Sequence, residues 1–139
     1  MSDPDKAEKK YSPEQEAILK KTIVGLTETI VLRGEKGKAT MTARIDTGAT
    51  KSSIDLMIAA KLGLGPVVDS KLIKSAYGVK LSPVVRADVE ICGRVIQAKF
   101  TLADRNHMRY PMLIGQNILR KDFLVDPCRN NKVDDSEKS

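Results

Sequence analysis

The stretch Ala43-Arg44-Ile45-Asp46-Thr47-Gly48-Ala49-Thr50-Lys51-Ser52-Ser53-Ile54 decides how this chain is read. Just before the aspartate, Met41, Ala43 and Ile45 alternate with Thr40, Thr42 and Arg44, the two-residue period of a half-buried strand. The strand runs into Asp-Thr-Gly, and a small, hydroxyl-rich segment carries the chain back to an apolar position at Ile54. A carboxylate at a strand end, on a turn whose glycine tolerates unusual backbone angles and a close backbone neighbour, is presented rather than buried. Asp46 is the carboxylate so presented.

Working outward, Thr22 to Leu32 is rich in β-branched residues, and Gly34-Glu35-Lys36-Gly37-Lys38 supplies turn chemistry. Together they predict a hairpin that delivers Asp46. Beyond the motif, Ser53 to Gly63 changes to a helical period, with Asp55 or Ser53 to cap the helix and Gly63 to close it. In Val67 to Pro83, Ser75-Ala76-Tyr77-Gly78 is a turn between two strand-like flanks. In a peptidase Tyr77 and Gly78 would mark a flap, here a short one; in any other β protein they mark an ordinary surface hairpin. Val85, Ala87, Val89 and Ile91 then alternate with polar residues, turn through Cys92-Gly93-Arg94 and return as Ile96, Ala98, Phe100 and Leu102. That is the clearest hairpin signal in the chain. A polar loop, Asp104 to Met108, leads into Tyr110-Pro111-Met112-Leu113-Ile114-Gly115-Gln116-Asn117-Ile118-Leu119, a short apolar strand followed by a glycine and a helical turn. Asp122 to Asp126 reads as a last strand ended by Pro127, and Ser12-Pro13-Glu14-Gln15 as a capped helix start running to about Lys21.

Many short strands, few helices and no alternation of strand and helix predict a mostly β, barrel-like domain. Residues 22–128 would form it. Residues 1–21 are expected to be a disordered or partly helical tail, and 129–139 a disordered one.

The chain has 139 residues and a formal charge of +6. That is room for one domain with its own core. Aromatic residues are 4% and tryptophan is absent, so the core must be aliphatic. Stacking platforms for nucleic acid are scarce, and no nucleic-acid motif is present. Cys92 and Cys128 make neither a metal spacing nor a disulfide framework and read as free thiols. With no apolar leader and no membrane-length run, a cytoplasmic location and no membrane partner are expected. The basic excess, including Lys51, Arg86, Arg105 and Arg109, suits acidic peptides and equally suits plain solubility.

One aspartate is a poor general base at neutral pH, but two held together share a proton, so that one activates water while the other donates. Only one Asp-Thr-Gly occurs here. Chemistry of this kind requires a second copy, which predicts a twofold homodimer with Asp46 of each subunit near the axis.

The apolar strand, Asp-Thr-Gly-Ala, hairpin and Ile114-Gly115-Gln116-Asn117-Ile118-Leu119 block, in this order, resemble the retropepsin-like aspartic proteases. The resemblance implies a closed acid-protease barrel with one or two short helices, peptide or protein substrates and no cofactor. It places Asp46 as the catalytic aspartate and Thr47 as the threonine that braces the paired loops. Gly48 and Ala49 would lie beside the substrate backbone, and Ile114 and Gly115 beneath the loop. Viral members carry an aspartate where this chain has Thr50 and an arginine where it has Gln116. Losing both charges together spares the fold a lone buried charge, and leaves open a non-catalytic, monomeric peptide-binding or scaffold domain.

A closer resemblance runs from about Val24 to Arg129 and includes Val24-Gly25-Leu26-Thr27-Glu28, the Asp46 block, Val84 to Val89, Thr101 to Gly115 and Phe123 to Pro127. These blocks are similar to the prokaryotic family labelled ATP-dependent zinc protease, which accompanies ATP-grasp ligases that add glutamate or related amino acids to proteins. The residues support only the aspartic part of that label. There is no His-Glu-x-x-His, the single histidine is His107, and Gly34 to Thr40 lacks phosphate-loop spacing. His107 with Asp104 or a cysteine would make at most a corner of a zinc site, so no metal is expected.

Overall fold

The structure, a computed structural model, describes residues 10–129. Of the tails expected at 1–21 and 129–139, residues 1–9 and 130–139 lie outside the described residues. Helix α1 (Pro13–Leu19) opens with the expected reciprocal cap: Gln15 N–H donates to Ser12 Oγ at 3.1 Å, and Ser12 N–H to Gln15 Oε1 at 2.8 Å. Nine strands follow: β1 (Thr22–Val24), β2 (Thr27–Gly34), β3 (Gly37–Ile45), β4 (Ser52–Asp55), β5 (Val67–Ser75), β6 (Gly78–Ile91), β7 (Arg94–Ala103), β8 (Met112–Ile114) and β9 (Phe123–Val125). Helix α2 (Leu56–Leu62) follows β4, and α3 (Gln116–Leu119) follows β8.

Strands β2-β3-β8-β4-β7-β6 are neighbours in that order, and β6 pairs back onto β2 from Ile30↔Ile91 to Arg33↔Asp88. The result is the expected closed barrel, of six strands, with β5 paired to the first half of β6 along the edge that β2 takes further on. Its interior is aliphatic: Ile30, Leu32, Ile54, Val85, Val89, Ile91, Met112 and Ile114 are buried around Phe100. Each such side chain contributes about 1.5–3 kcal/mol by leaving water.

Strands β3 and β4 both pair with β8, which lies between them, parallel to one and antiparallel to the other. The segment joining β3 to β4 must therefore arch over the end of β8. That arch is Asp46 to Lys51.

Three features differ from the sequence expectation. The β-branched run from Thr22 splits at Gly25-Leu26, and β1 pairs in parallel with β9 instead of extending the hairpin. Gly25 is where the chain passes so close to Arg129 that a Cβ would come within 2.9 Å of its carbonyl oxygen. The buried Glu28 carboxylate reinforces this contact: its Oε2 accepts from Gly25 N–H at 2.7 Å and from Arg129 Nε at 3.0 Å. Second, Pro83 does not end a strand; β6 runs through it to Ile91. Pro83 faces Ser70 on β5, while pairing with β7 begins only at Val84↔Thr101, so no bond to β7 is asked of its missing N–H. Third, because β6 continues, the hairpin is a long arm and not the short one expected, with Ala76-Tyr77 as its turn.

Candidate active site

Strand β3 buries Ala43 and Ile45 and leaves Arg44 outside, so the next residue, Asp46, emerges at the barrel rim, half-buried. Its N–H donates to Ile114 O at 2.9 Å, continuing the β3–β8 ladder by one bond. Its Oδ1 accepts from Gly48 N–H at 2.9 Å, which turns the carboxylate back over its own loop.

The remainder of the arch is tied to residues 115–117. Gln116 N–H donates to Ala49 O at 2.7 Å, Asn117 N–H to Thr50 O at 3.2 Å, and Gln116 Nε2 to Thr47 O at 2.8 Å. Ser52 Oγ accepts from the buried Gly115 N–H at 2.9 Å and donates to Asn117 Oδ1 at 2.7 Å, and Asn117 Nδ2 donates to Lys99 O on β7 at 3.0 Å. Gly115 has an ordinary extended backbone, so its smallness matters for another reason. A Cβ there would overlap the Lys51 carbonyl and sit 2.8 Å from Ala49 O. The loop has almost no apolar side chain to bury, and hydrogen bonds from one short segment hold it instead.

Beside the arch lies a cleft of about 430 Å³, lined by Gly48 to Ser53, by Lys71 and Ile73 of β5, by Thr101 and Ala103 of β7, and by Leu113. Beneath Ser53 sits Arg105, 9% exposed, whose Nη1 donates to Ser53 Oγ and whose Nε donates to Tyr110 O, both at 3.1 Å. Burial lowers the pKa of this guanidinium; the nearby Asp55 carboxylate opposes the shift, and Arg44 adds to it. Asp55 links two elements: Oδ1 accepts from Arg105 N–H at 2.9 Å, while Oδ2 accepts from Met57 N–H at 3.2 Å to cap α2.

Asp46, Thr47, Gly48, Ala49, Ile114 and Gly115 are thus brought together at one rim of the barrel. Tyr77 and Gly78 are not brought to that cleft; they form the turn of the β5–β6 arm, Tyr77 fully exposed, and the arm meets the cleft lower down through Lys71 and Ile73. Sequence reasoning did not single out Ser52, Asn117, Lys71 or Ile73. Ser52 carries a retrospective signal, since a small polar residue opening a buried strand needs a partner. His107 is exposed, and Asp104 Oδ1 is engaged by Asn106 N–H at 3.0 Å. Among the described residues no three His, Cys, Asp or Glu side chains converge on one point, so the donor set does not fit a zinc centre. Cys92 and Cys128 are free and exposed, and no helix among the described residues is long and apolar enough to cross a membrane.

A family profile described as RimB-like, retropepsin-like aspartic endopeptidase RimB, matches residues 61–135, more than half of the chain. The chain belongs to the RimB-like family. The match to this RimB-like family begins after the Asp46 loop, so the loop's place in the site rests on its geometry. No curated protein matches the chain. Among solved structures it is similar to Lpg0085 of Legionella pneumophila, a protein of unknown function, with 22% identity, a TM-score of 0.54, and coverage of 77% of this chain and 94% of that one. It also resembles the simian foamy virus (mac) protease, with 18% identity, a TM-score of 0.52, and coverage of 68% and 91%. A third is the EIAV protease complexed with the inhibitor HBY-793, with 19% identity, a TM-score of 0.53, and coverage of 68% and 84%. At these identities the likeness is one of fold. The RimB-like barrel is thus of the retropepsin type.

Proposed function

We propose that this RimB-like chain is an aspartic endopeptidase that works as a twofold homodimer, with one Asp46 from each subunit. The observation that carries the reading is the Asp46 carboxylate, held by Gly48 N–H at 2.9 Å on an arch whose backbone is tied down at Thr47, Ala49 and Thr50. A reacting carboxylate requires that kind of preorganisation. In the paired site one carboxylate is ionised and the other protonated. The ionised member takes a proton from water as its oxygen attacks the peptide carbonyl carbon, and the protonated member donates to the carbonyl oxygen. Collapse of the tetrahedral intermediate breaks the C–N bond as the amine takes up a proton. Thr47 braces the two loops across the axis, Gly48 and Ala49 run beside the substrate backbone, and Ile114 and Gly115 support the loop from below. The β5–β6 arm, with Tyr77 and Gly78 at its tip, closes over the peptide.

The substrate we propose is an acidic peptide, including a glutamate tail of the kind ATP-grasp ligases add. Lys51 and Lys71 line the cleft, Lys99 flanks it, and the buried Arg105 lies under Ser53. Together they favour carboxylates in the cleft. Neither zinc nor ATP takes part in this scheme.

The test is sedimentation over a wide concentration range for wild type and Asp46→Asn, with acidic and neutral peptide libraries assayed on the same samples. Dimerisation together with Asp46-dependent cleavage of acidic peptides is the expected result. A chain that stays monomeric and cuts nothing removes the peptidase reading and leaves the monomeric peptide-binding domain in its place.

A further inference from the structure

Three hydrogen bonds lead from the outside of α3 to the Asp46 carboxylate, with every donor pointing the same way. Arg120 Nη2 donates to Gln116 Oε1 at 3.3 Å, and Gln116 Nε2 donates to Thr47 O at 2.8 Å. Thr47 C=O and Gly48 N–H belong to one peptide group, and that N–H donates to Asp46 Oδ1 at 2.9 Å. Two amides, one side-chain and one backbone, therefore stand in series between a cation and a carboxylate. Hydrogen bonds arranged in this way polarise one another, by about 10–30% per bond.

We propose that Gln116 and Arg120 are positioning residues for Asp46. Their relay fixes the plane of the Thr47–Gly48 peptide, keeps Oδ1 as the hydrogen-bonded oxygen and leaves the other oxygen for the reacting water. The inference rests on the reading of Asp46 as the catalytic aspartate.

Chemistry accounts for the residue types. A carboxamide accepts at oxygen and donates at nitrogen, so it passes polarisation onward, whereas an arginine at 116 has no acceptor and would repel Arg120. The four-residue spacing on α3 stacks Arg120 over Gln116. With a neutral group at 116, Thr50 has no charge to balance, which explains why both charges expected from the viral resemblance are missing together. The two links differ in strength. The Gln116–Thr47 bond is short, while the Arg120–Gln116 bond is long, exposed and screened by salt.

The experiment uses the full ¹⁵N-labelled chain as wild type, Gln116→Met, Arg120→Met and Arg120→Lys. It measures exchange of the Gly48 amide with water, then kcat and KM on a cleaved acidic peptide. Gln116→Met is expected to speed Gly48 exchange by about tenfold and to lower kcat by a similar factor with KM unchanged. Arg120→Met, at an exposed position that leaves the fold intact, gives a smaller change in the same direction that Arg120→Lys restores and high salt erases. Gly48 exchange unchanged in both Met variants overturns the relay, and faster exchange with unaltered kcat overturns the positioning role. If wild type cleaves nothing, that result counts against the peptidase reading itself, and the amide measurement still decides the relay.

Discussion

The Asp46 arch and the β5–β6 arm contribute to the same cleft and are held in opposite ways. The arch has no regular secondary structure, yet its backbone groups are bonded to partners more than sixty residues away in sequence. The arm is a regular antiparallel ladder, but its side chains find little cover: Leu72 and Leu81 are paired directly across it, and both stay exposed, as do Val79 and Tyr77. Regularity and rigidity are separate properties. Contacts to distant parts of the chain hold a segment still, and by that measure the irregular loop is the better anchored jaw and the regular hairpin the less anchored one.

Gly115→Ala should give the largest effect. Its methyl group would overlap the Lys51 carbonyl, which is main chain and cannot swing aside. A loss of about 3 kcal/mol or more is expected in urea unfolding, and a normal midpoint would mean that the arch is softer than it looks. Next comes Ser52→Ala, which strands the buried Gly115 N–H and takes a donor from Asn117. About 1–3 kcal/mol should be lost, with a matching fall in the protection of the Gly115 amide. On the arm, Tyr77→Ser should change stability by less than about 0.5 kcal/mol. It should raise KM for long peptides if the arm closes on them; an unchanged KM would deny the arm any part in binding.

The smallest effect lies away from both jaws and serves as a control. Burial and the adjacent Glu28 carboxylate push up the pKa of the Cys92 thiol, while Arg129 pulls the other way. A thiol raised in this manner keeps its proton at higher pH, so alkylation of Cys92 should need a more alkaline solution in the folded chain than in urea. Arg129→Ala should move that threshold further up. Substitutions confined to the arch or the arm should leave it alone.

Local features were legible in the sequence. The Ser12 cap, the Asp55 cap, the turn at Cys92-Gly93 with its positive φ angles, and the alternation along β3, β6 and β7 are each specified within a few residues. The barrel and the aspartate at its rim follow from them. What stayed hidden depends on pairs far apart. The break at Gly25 goes with the close approach of Arg129, the passage of β6 through Pro83 with where pairing to β7 begins, and the tie from Asp55 to Arg105 spans fifty residues. The hairpin tip was legible as a turn, but its distance from the cleft was not, because that depends on how far the arm extends before it bends.

The ion pair between Glu28 and Arg129 joins positions 101 residues apart. A chain emerging from the ribosome exposes the carboxylate long before its guanidinium partner has been made, and β1 likewise precedes β9, its partner. The two-stranded β1–β9 sheet beside the barrel cannot form until β9 has been delivered. The seam between the two ends is therefore the last part to close during synthesis, and the part a growing chain must keep from pairing with its neighbours.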